Sequence, residues 1–251
     1  MKIALIGSGN VATVLGRIII QNNHKVIQVI SRDVDNAKLL AEELGAGFTD
    51  FSGKPDLNAD MFILAIADQA LEHFFSGFGM GNKLVVHTAG SVSIDILKNY
   101  STRYGVLYPL QSLRKEMRNI PSIPFLIDGN CEEVLAVINN FASSISPSVK
   151  RAGDEERLKL HAAAVIVSNF TNHLYVIAED FCQKENISFD MLKPLILETA
   201  LRIQEVSPAK VQTGPAVRKD ILTMDKHLRL LAAHPKLRTT YLRLTDSIMN
   251  P

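Results

Sequence analysis

Residues 6–16, IGSGNVATVLG, decide the fold that this sequence predicts. The strand-like segment KIAL precedes this stretch and apolar residues at helical spacing follow it, so a glycine-containing loop joins a buried strand to a helix. The loop fits the pattern G-x-G-x-x-A with Gly7, Ser8, Gly9, Asn10, Val11 and Ala12. In this pattern the first glycine makes the turn, the second lets the backbone approach a pyrophosphate, and the small last residue lets the helix pack closely on the strand. We therefore expect a dinucleotide at the helix N-terminus, with a purely structural turn as the alternative.

The residues after the second predicted strand distinguish two dinucleotides. An acidic residue about twenty positions after the loop would bind the ribose hydroxyls of NAD and would repel a 2′-phosphate. Ser31 and Arg32 stand at that place instead. A hydroxyl and a guanidinium donate charge-assisted hydrogen bonds to a phosphate, so we expect NADP. The alternative leaves Arg32 on the surface and assigns the acidic role to Asp33.

Strand-like and helix-like segments alternate through residues 1–153. The strand-like segments are KIAL, VIQVIS, MFILAIAD, KLVVHTAG, YGVLYPL, IPFLI and SVKRAG. The helix-like segments are residues 11–19, DNAKLLAEEL, QALEHFF, SIDILKNY and residues 132–145. Such alternation predicts an α/β fold with a doubly wound parallel Rossmann sheet. Residues 154–251 carry helical patterns only, so we expect a second, smaller all-α domain that begins with one long helix.

Charge and apolar patterning exclude several classes of protein. The 27 Lys and Arg residues nearly balance the 26 Asp and Glu residues, and no basic run is interleaved with aromatic residues, so we expect no nucleic-acid partner. No apolar window of about eighteen residues and no signal-peptide pattern appears, so we expect a cytoplasmic protein without a membrane span. Cys131 and Cys182 lack metal-ligand spacing. We expect them to be buried thiols in a reducing compartment, and we expect no metal site.

The ends of two later strands should line the rest of the crevice, because ligands of open α/β sheets lie outside the carboxyl ends of the strands. Ile66 and Ala67 follow one of these strands, and we expect them to pass close to the coenzyme. His87 and Thr88 end the next strand and should face the nicotinamide. The alternative for His87 is a structural histidine whose hydrogen bonds are satisfied inside the fold.

Six segments in this order resemble a known family: ALIGSGNVAT, ISRD, VVHTAGS, LYPLQSL, HAAAVIVSNFTNHL and TGPAVRKD. They resemble the Rossmann-like NADP oxidoreductases that carry a helical C-terminal domain of unknown function, and the resemblance spans essentially the whole chain. The first half is more distantly similar to pyrroline-5-carboxylate reductase and the deazaflavin-dependent NADP reductases. The resemblance implies two domains, NADP in the first of them, a homodimer through the helices, and a reductase without an assigned substrate or catalytic residue.

A polar stripe follows the long predicted helix. At 100° per residue, His161, Ser168 and Asn172 fall within about 40° of one another, and Asn169 lies about 80° from His161. Polar groups on so apolar a helix face a wet cleft or a hydrogen-bonded network. We expect His161 to donate a proton and Asn169 to hold the substrate oxygen or the nicotinamide amide. The alternative is that the stripe faces a dimer mate or a buried network.

The segment QTGPAVRKD predicts a second polar feature. Gly214 and Pro215 make a turn that leads into a helix, with Arg218 and Asp220 in its first turns. Such a turn presents Arg218 to an anionic substrate. The alternative is an ordinary capping region with a solvated arginine.

The predicted function is hydride transfer between NADPH and a small carbonyl, imine or hydroxyacid-type substrate. β-Hydroxyacid dehydrogenases carry a Lys-x-x-x-Asn pair on the corresponding helix, whereas here Ala163 stands four residues after Lys159. The absence of that pair favours the alternative of a non-catalytic NADP-sensing or scaffold module, and a third hypothesis is an oxidoreductase with a deazaflavin as partner substrate. Apolar surface on the long helix predicts a homodimer through the helical domain.

Overall fold

The computed structural model describes residues 1–71 and 79–250. Within these residues one eight-stranded sheet has the order β3-β2-β1-β4-β5-β6-β7-β8, and all its neighbours are parallel except β6 and β7. The strands are β1 (Lys2–Ile6), β2 (Lys25–Ile30), β3 (Gly47–Thr49), β4 (Met61–Leu64), β5 (Leu84–His87), β6 (Arg103–Pro109), β7 (Phe125–Gly129) and β8 (Val149–Arg151). The predicted Rossmann sheet is confirmed. The short strand β3 was not predicted, because three residues carry too little pattern to identify a strand.

Helices alternate with these strands as the sequence predicts. They are α1 (Asn10–Gln21), α2 (Val34–Leu44), α3 (Asp68–Leu71) and α4 (Glu132–Ile145), and a 3₁₀ helix covers Ile94–Leu97. Helix α2 ends at Gly45, whose φ of 65° is the left-handed conformation that glycine adopts without strain. Of the predicted helix over residues 69–75, residues 69–71 belong to α3 and the rest lies outside the described residues.

The core of the sheet explains its uninterrupted apolar strands. One face of β1 and β4, represented by Leu5 and Ile63, packs against α1, α2 and α4. The other face, represented by Ile6 and Phe62, packs against α3 and the 3₁₀ helix. Central strands that are buried on both faces need apolar residues at every position, which is why the segments KIAL and MFIL are continuous apolar runs. Their carboxyl ends stay free for a ligand.

The chain divides into two compact units, Met1–Ser168 and Asn169–Pro251. Helix α5 (Asp154–Ala164), a π-helix (Val165–Phe170) and helix α6 (Thr171–Lys184) follow one another without a break. The predicted long helix therefore exists, but it contains a π-helical segment and the division between the units falls inside that segment. The predicted domain boundary after Gly153 stays a prediction.

The second unit is helical throughout its described elements. After α6 come a 3₁₀ helix (Phe189–Leu192), α7 (Lys193–Glu205), α8 (Pro208–Val211), α9 (Ile221–Leu230), a 3₁₀ helix (Leu231–Ala233) and α10 (Pro235–Met249). Pro235 stands at the first position of α10, as expected for a proline at a helix start. Among residues 169–250 the buried apolar side chains are Cys182, Ala216, Met224 and Leu231.

Three further expectations concern cysteines, metals and membranes. Both cysteines are free thiols, and Cys182 is buried, but Cys131 is exposed, so the expectation of two buried thiols is wrong for Cys131. It is the N-cap residue of α4, so it stands before the first turn that packs on the core. Over the described part of the chain, no His, Cys, Asp and Glu side chains cluster as a metal would require. Nor does any described helix have the length and apolar character for a membrane crossing.

Candidate active site

The loop between β1 and α1 has the geometry that a pyrophosphate requires. Gly7 has a φ of 118°, and a Cβ there would lie 2.2 Å from the carbonyl oxygen of Ala65, so only glycine fits. Gly9 is the N-cap residue of α1, and a Cβ on it would meet no atom within 4 Å, so the space above its backbone is open. The buried Ala12 lets the helix lie close to the sheet. The first N–H groups of α1 therefore face an open cradle that an anion fits.

The end of β2 carries Ser31 and Arg32, the residues that the sequence predicts to select the coenzyme. Ser31 is buried, and its Oγ accepts a hydrogen bond of 2.8 Å from Ser8 Oγ, which leaves the Ser31 hydroxyl proton free to donate. Arg32 is exposed and forms no hydrogen bond or ion pair with the described residues. Asp33 caps α2 instead: its two carboxylate oxygens accept hydrogen bonds of 3.0 and 2.6 Å from the backbone and side-chain nitrogens of Asn36. The hypothesis that Asp33 serves the ribose is therefore disfavoured.

The other predicted coenzyme contacts lie along the carboxyl edge of the sheet. Ile66 is next to the loop, because a Cβ on Gly7 would lie 3.3 Å from its Cγ2. Ala67 is exposed at the same edge. Thr88 is buried, and its Oγ1 donates a 3.1 Å hydrogen bond to the carbonyl oxygen of Leu64. The Thr88 hydroxyl thus ties the ends of β4 and β5 together, and its oxygen remains able to accept a bond from a ligand.

His87 is buried at the end of β5, and only one of its two ring nitrogens has a hydrogen-bond partner in the described part of the chain. It is fully buried, and its Nδ1 accepts a 3.2 Å hydrogen bond from the backbone N–H of Ala89, so the neutral ring carries its proton on Nε2. Burial, together with the positive charge of Arg157, lowers the pKa of His87 to about 4. A ring that stays neutral and buried at neutral pH is a poor proton donor. Its Nε2, however, is buried without a hydrogen-bond partner among the described residues, so His87 is not a histidine whose hydrogen bonds are all satisfied, and its role stays a prediction.

His161 lies beside a residue that the sequence did not single out. Its Nδ1 is 2.9 Å from the hydroxyl of Tyr108, which stands near the end of β6, and the two rings meet edge to face with centroids 5.8 Å apart. Gly90, three residues after β5, lies against both rings: a Cβ there would be 2.6 Å from His161 Nδ1 and 2.9 Å from Tyr108 Cζ. Glycine at this position is therefore a condition for the Tyr108–His161 pair.

The first turn of α5 holds this region in place through a buried arginine. Arg157 is 1% exposed, and its Nη2 donates hydrogen bonds to Val92 O and, at 2.7 Å, to Asp154 Oδ1. The same Asp154 oxygen accepts a 3.1 Å bond from the backbone N–H of Ile94. An arginine paired in this way is costly to break, because removing one partner leaves a buried charge unpaired. Arg157 and Asp154 thus fix the chain that follows Gly90.

Tyr108 is 9% exposed, and the charges around it act in opposite directions. Burial raises the pKa of Tyr108, the negative charge of Asp68 raises it further, and the positive charge of Arg157 lowers it. The phenol therefore keeps its proton at neutral pH and can serve as a donor.

Asn169 and Arg218 belong to the second unit, Asn169–Pro251. Asn169 is exposed within the π-helix, and a π-helix winds by less than 100° per residue, so the predicted polar stripe does not continue in register through it. Arg218 is exposed and precedes α9, and Asp220 caps that helix by accepting bonds of 3.1 and 2.8 Å from Thr223. The prediction that Arg218 and Asp220 lie in the first turns of this helix was wrong, because α9 begins at Ile221. The roles of Asn169 and Arg218 stay predictions.

Three residues of the site were missed by sequence reasoning: Gly90, Tyr108 and Arg157. Each belongs to a segment that was noticed, but its significance depends on contacts between β5, β6 and α5 that are far apart in the chain. The segment LYPL carried a signal for Tyr108, since a tyrosine at the end of a buried strand is a polar group in an apolar run. No spacing rule links it to His161, 53 residues later.

The fold and the loop define a class: an α/β protein with a Rossmann sheet that binds NADP across the point where the strand order reverses. Residues 2–91 match the family model described as NADP oxidoreductase, coenzyme F420-dependent, and residues 123–248 match a domain of unknown function, DUF2520. The chain belongs to the family of NADP-dependent oxidoreductases that combine these two domains. NADP is its coenzyme.

Solved structures share this fold over the whole chain. A candidate NADP oxidoreductase from Bacteroides fragilis is 36% identical, with a TM-score of 0.88 over 100% of this chain and 98% of that one. Pyrroline-5-carboxylate reductase from Streptococcus pyogenes is 16% identical, with a TM-score of 0.67 over 100% and 99%. A reductive aminase from Aspergillus terreus, in complex with NADPH and ethyl levulinate, is 16% identical, with a TM-score of 0.69 over 98% and 92%. No curated protein matches the sequence.

Proposed function

We propose that this protein transfers a hydride between NADPH and a small carbonyl, imine or hydroxyacid-type substrate at the carboxyl edge of β5 and β6. The supporting observation is the place of His161. Strands β1, β4, β5 and β6 are neighbours, with Ile6, Leu64, His87 and Val106 in register. Tyr108 on β6 is therefore separated from the phosphate loop by three strand spacings, about 14 Å measured across the sheet. Ser31 and Arg32 lie on the opposite side of β1, so the nicotinamide half extends toward His161.

The residues present fit such a reaction. Bound NADPH supplies the hydride. The phosphate loop holds the pyrophosphate, and Ser31 and Arg32 hold the 2′-phosphate. His161 is partly exposed and hydrogen-bonded, so it supplies a proton at the edge where the substrate heteroatom becomes negative. Hydride transfer needs little else beyond this positioning.

A second candidate function has a specific finding in its favour. The family model that matches residues 2–91 describes coenzyme F420-dependent oxidoreductases. A deazaflavin would then exchange the hydride with NADP in place of a carbonyl or imine. The two candidates share the coenzyme site and differ in the substrate only, so one assay distinguishes them.

The test is NADPH oxidation by the purified protein against 2-oxo acids, cyclic imines and a deazaflavin. Turnover with one of these classes identifies the substrate. Replacing His161 by Ala should slow that turnover by roughly 10²–10⁴, the usual scale for loss of a general acid, and should leave NADPH affinity nearly intact. His173→Ala on the exposed side of α6 is the matched control. NADPH binding without turnover of any substrate favours the sensing module, and full activity of His161→Ala excludes this residue from the mechanism.

We also propose that the chain forms a homodimer through the helical region. Helix α7 has no buried residue, although it carries Leu195, Leu197, Leu201 and Ile203, which are between 44% and 61% exposed. A helix with several exposed large apolar side chains and no buried residue is unusual in a monomer, and a symmetric dimer is the commonest way to cover such side chains.

A further inference from the structure

The pair formed by Tyr108 and His161 contains two groups that can carry a proton, and the proposed function names only one of them. Tyr108 is nearly buried near the end of β6, and His161 is partly exposed on α5. Their hydrogen bond of 2.9 Å can run in either direction, because Nδ1 accepts in the neutral tautomer that carries its proton on Nε2 and donates when the ring is charged. The protonation state of His161 therefore decides what the phenol does.

We propose that Tyr108 is the catalytic proton donor to the substrate heteroatom and that His161 replenishes its proton through Nδ1. This inference rests on the proposed function and concerns the same site. With His161 neutral and its proton on Nε2, the phenol gives its hydrogen bond to Nδ1 and has none for a substrate. With His161 charged, Nδ1–H donates to the phenol oxygen, and the phenol proton is free to point toward the substrate.

The transfer balances. Hydride adds to the carbon of the C=O or C=N bond, and the π electron pair of that bond moves to the oxygen or nitrogen. That atom takes the proton of Tyr108, and the phenolate takes the proton of His161 Nδ1. The products are NADP⁺, the alcohol or amine, and a neutral His161 that regains one proton from solvent through its exposed side.

Neighbouring charges suit this role. Arg157 from α5 stabilises the phenolate that forms during the transfer, while Asp68 from α3 keeps the resting phenol protonated. Arg157 is held by Asp154 and by Val92 O, so its charge has a fixed position near the phenol. A preorganised charge of this kind acts without rearrangement at the moment of reaction.

Gly90 offers a way to disturb the pair without removing either group. The Cβ of an alanine at position 90 would lie 2.6 Å from His161 Nδ1 and 2.9 Å from Tyr108 Cζ, so one ring must move. Gly79→Ala is the matched control, since a Cβ there meets no atom within 4 Å. The Cβ would also lie 2.8 Å from His161 Cγ, so the whole imidazole must move. His161 is partly exposed, so we expect Gly90→Ala to fold with this ring displaced and the hydrogen bond lost.

The experiment compares wild type, Tyr108→Phe, Gly90→Ala and Gly79→Ala in NADPH affinity, thermal stability and the pH dependence of turnover. Tyr108→Phe and Gly90→Ala should lower kcat about 10²–10³-fold, with NADPH affinity within about twofold of wild type. In the wild type, kcat should fall with rising pH over the same range in which NMR shows the His161 imidazole losing its proton. This decrease of kcat with pH should be absent in Tyr108→Phe. Gly79→Ala should behave as wild type.

The possible failures are distinguishable. Two results would overturn the proposed proton transfer from His161 through Tyr108 and leave the proposed function intact. One is full turnover in Tyr108→Phe, and the other is a decrease of kcat that does not coincide with the loss of the imidazole proton seen by NMR. Absence of turnover in the wild type with every substrate class would overturn the proposed function and the relay with it. If Tyr108→Phe fails to fold, the test rests on Gly90→Ala. Full activity of Gly90→Ala without the Tyr108–His161 hydrogen bond would then overturn the proposed proton transfer.

Discussion

The two compact units of this chain stabilise themselves in different ways. In Met1–Ser168 the sheet is buried on both faces, and side chains such as Leu5 and Phe62 are completely covered. In Asn169–Pro251 helix α7 has no buried residue, and Met191 and Leu222 are each 79% exposed. The first unit completes its own core, whereas the second leaves the apolar surface that a partner would cover. A closed core suits the rigid loop between β1 and α1, and open apolar faces are the feature from which we propose a dimer.

The largest expected effect concerns the closed core of the first unit. Leu5→Ala should lower the free energy of unfolding by about 3–5 kcal/mol, because it opens a cavity in a fully buried layer of the sheet. Leu39→Ala is the matched control: Leu39 is 65% exposed on α2, and its loss should cost less than about 0.5 kcal/mol. Denaturant unfolding measures both. Equal costs for the two leucines would show that the core does not carry the stability of this unit.

The second prediction concerns the pH dependence of the free energy of unfolding that results from the burial of His87. The pKa of His87 is about 4 in the folded protein, against an ordinary value of 6.5, so between these pH values the unfolded chain binds a proton that the folded chain does not. The free energy of unfolding should therefore fall as pH falls from 6.5 toward 4, by about 1.4 kcal/mol per pH unit. His87→Gln should flatten this slope, and His173→Gln on the surface should not. An unchanged slope in His87→Gln would place the titrating group elsewhere.

The third prediction tests the open apolar surface of the second unit. Wild-type protein should sediment as a symmetric dimer at micromolar concentration. Replacing both Leu197 and Leu201 on α7 by Lys should weaken association ten- to hundredfold, about 1–3 kcal/mol, because charged side chains would be buried in the interface. Leu39→Lys, at similar exposure in the first unit, serves as the control. A monomeric wild type at this concentration would contradict the proposed dimer and would show that the exposed apolar side chains of the second unit do not mediate association.

The smallest expected effect concerns coenzyme choice. Wild-type protein should bind NADPH more tightly than NADH, and Arg32→Ala should narrow the difference about tenfold, because one charge-assisted contact to the 2′-phosphate is lost. Calorimetric titration with both coenzymes measures this, with Arg243→Ala on the exposed side of α10 as the control. A preference that Arg32→Ala leaves untouched would assign the selection to Ser31 alone.

Local signals predicted most elements of the fold. The apolar run before Gly7 predicts β1, the apolar spacing after it predicts α1, and the helix over 132–145 has the bounds that its pattern indicates. The start of α9 was misplaced, because Asp220 is as favourable at an N-cap as in a first turn. The π-helix was missed, because an apolar run without Gly or Pro carries no sign of a changed helical pitch.

The sequence by itself determined the arrangement of the predicted coenzyme-binding residues. A strand, a G-x-G-x-x-A loop and a helix are contiguous in the chain, and Ser31 with Arg32 follows the next strand, so local geometry alone brings these groups together. Only the tertiary structure brought together the candidate proton-carrying residues. Gly90, Tyr108 and His161 come from three segments that meet because β5 and β6 pair and α5 packs beside them, and burial then makes His87 neutral while Tyr108 stays a donor. Burial and long-range contact depend on how the whole chain packs, which no short stretch of sequence specifies.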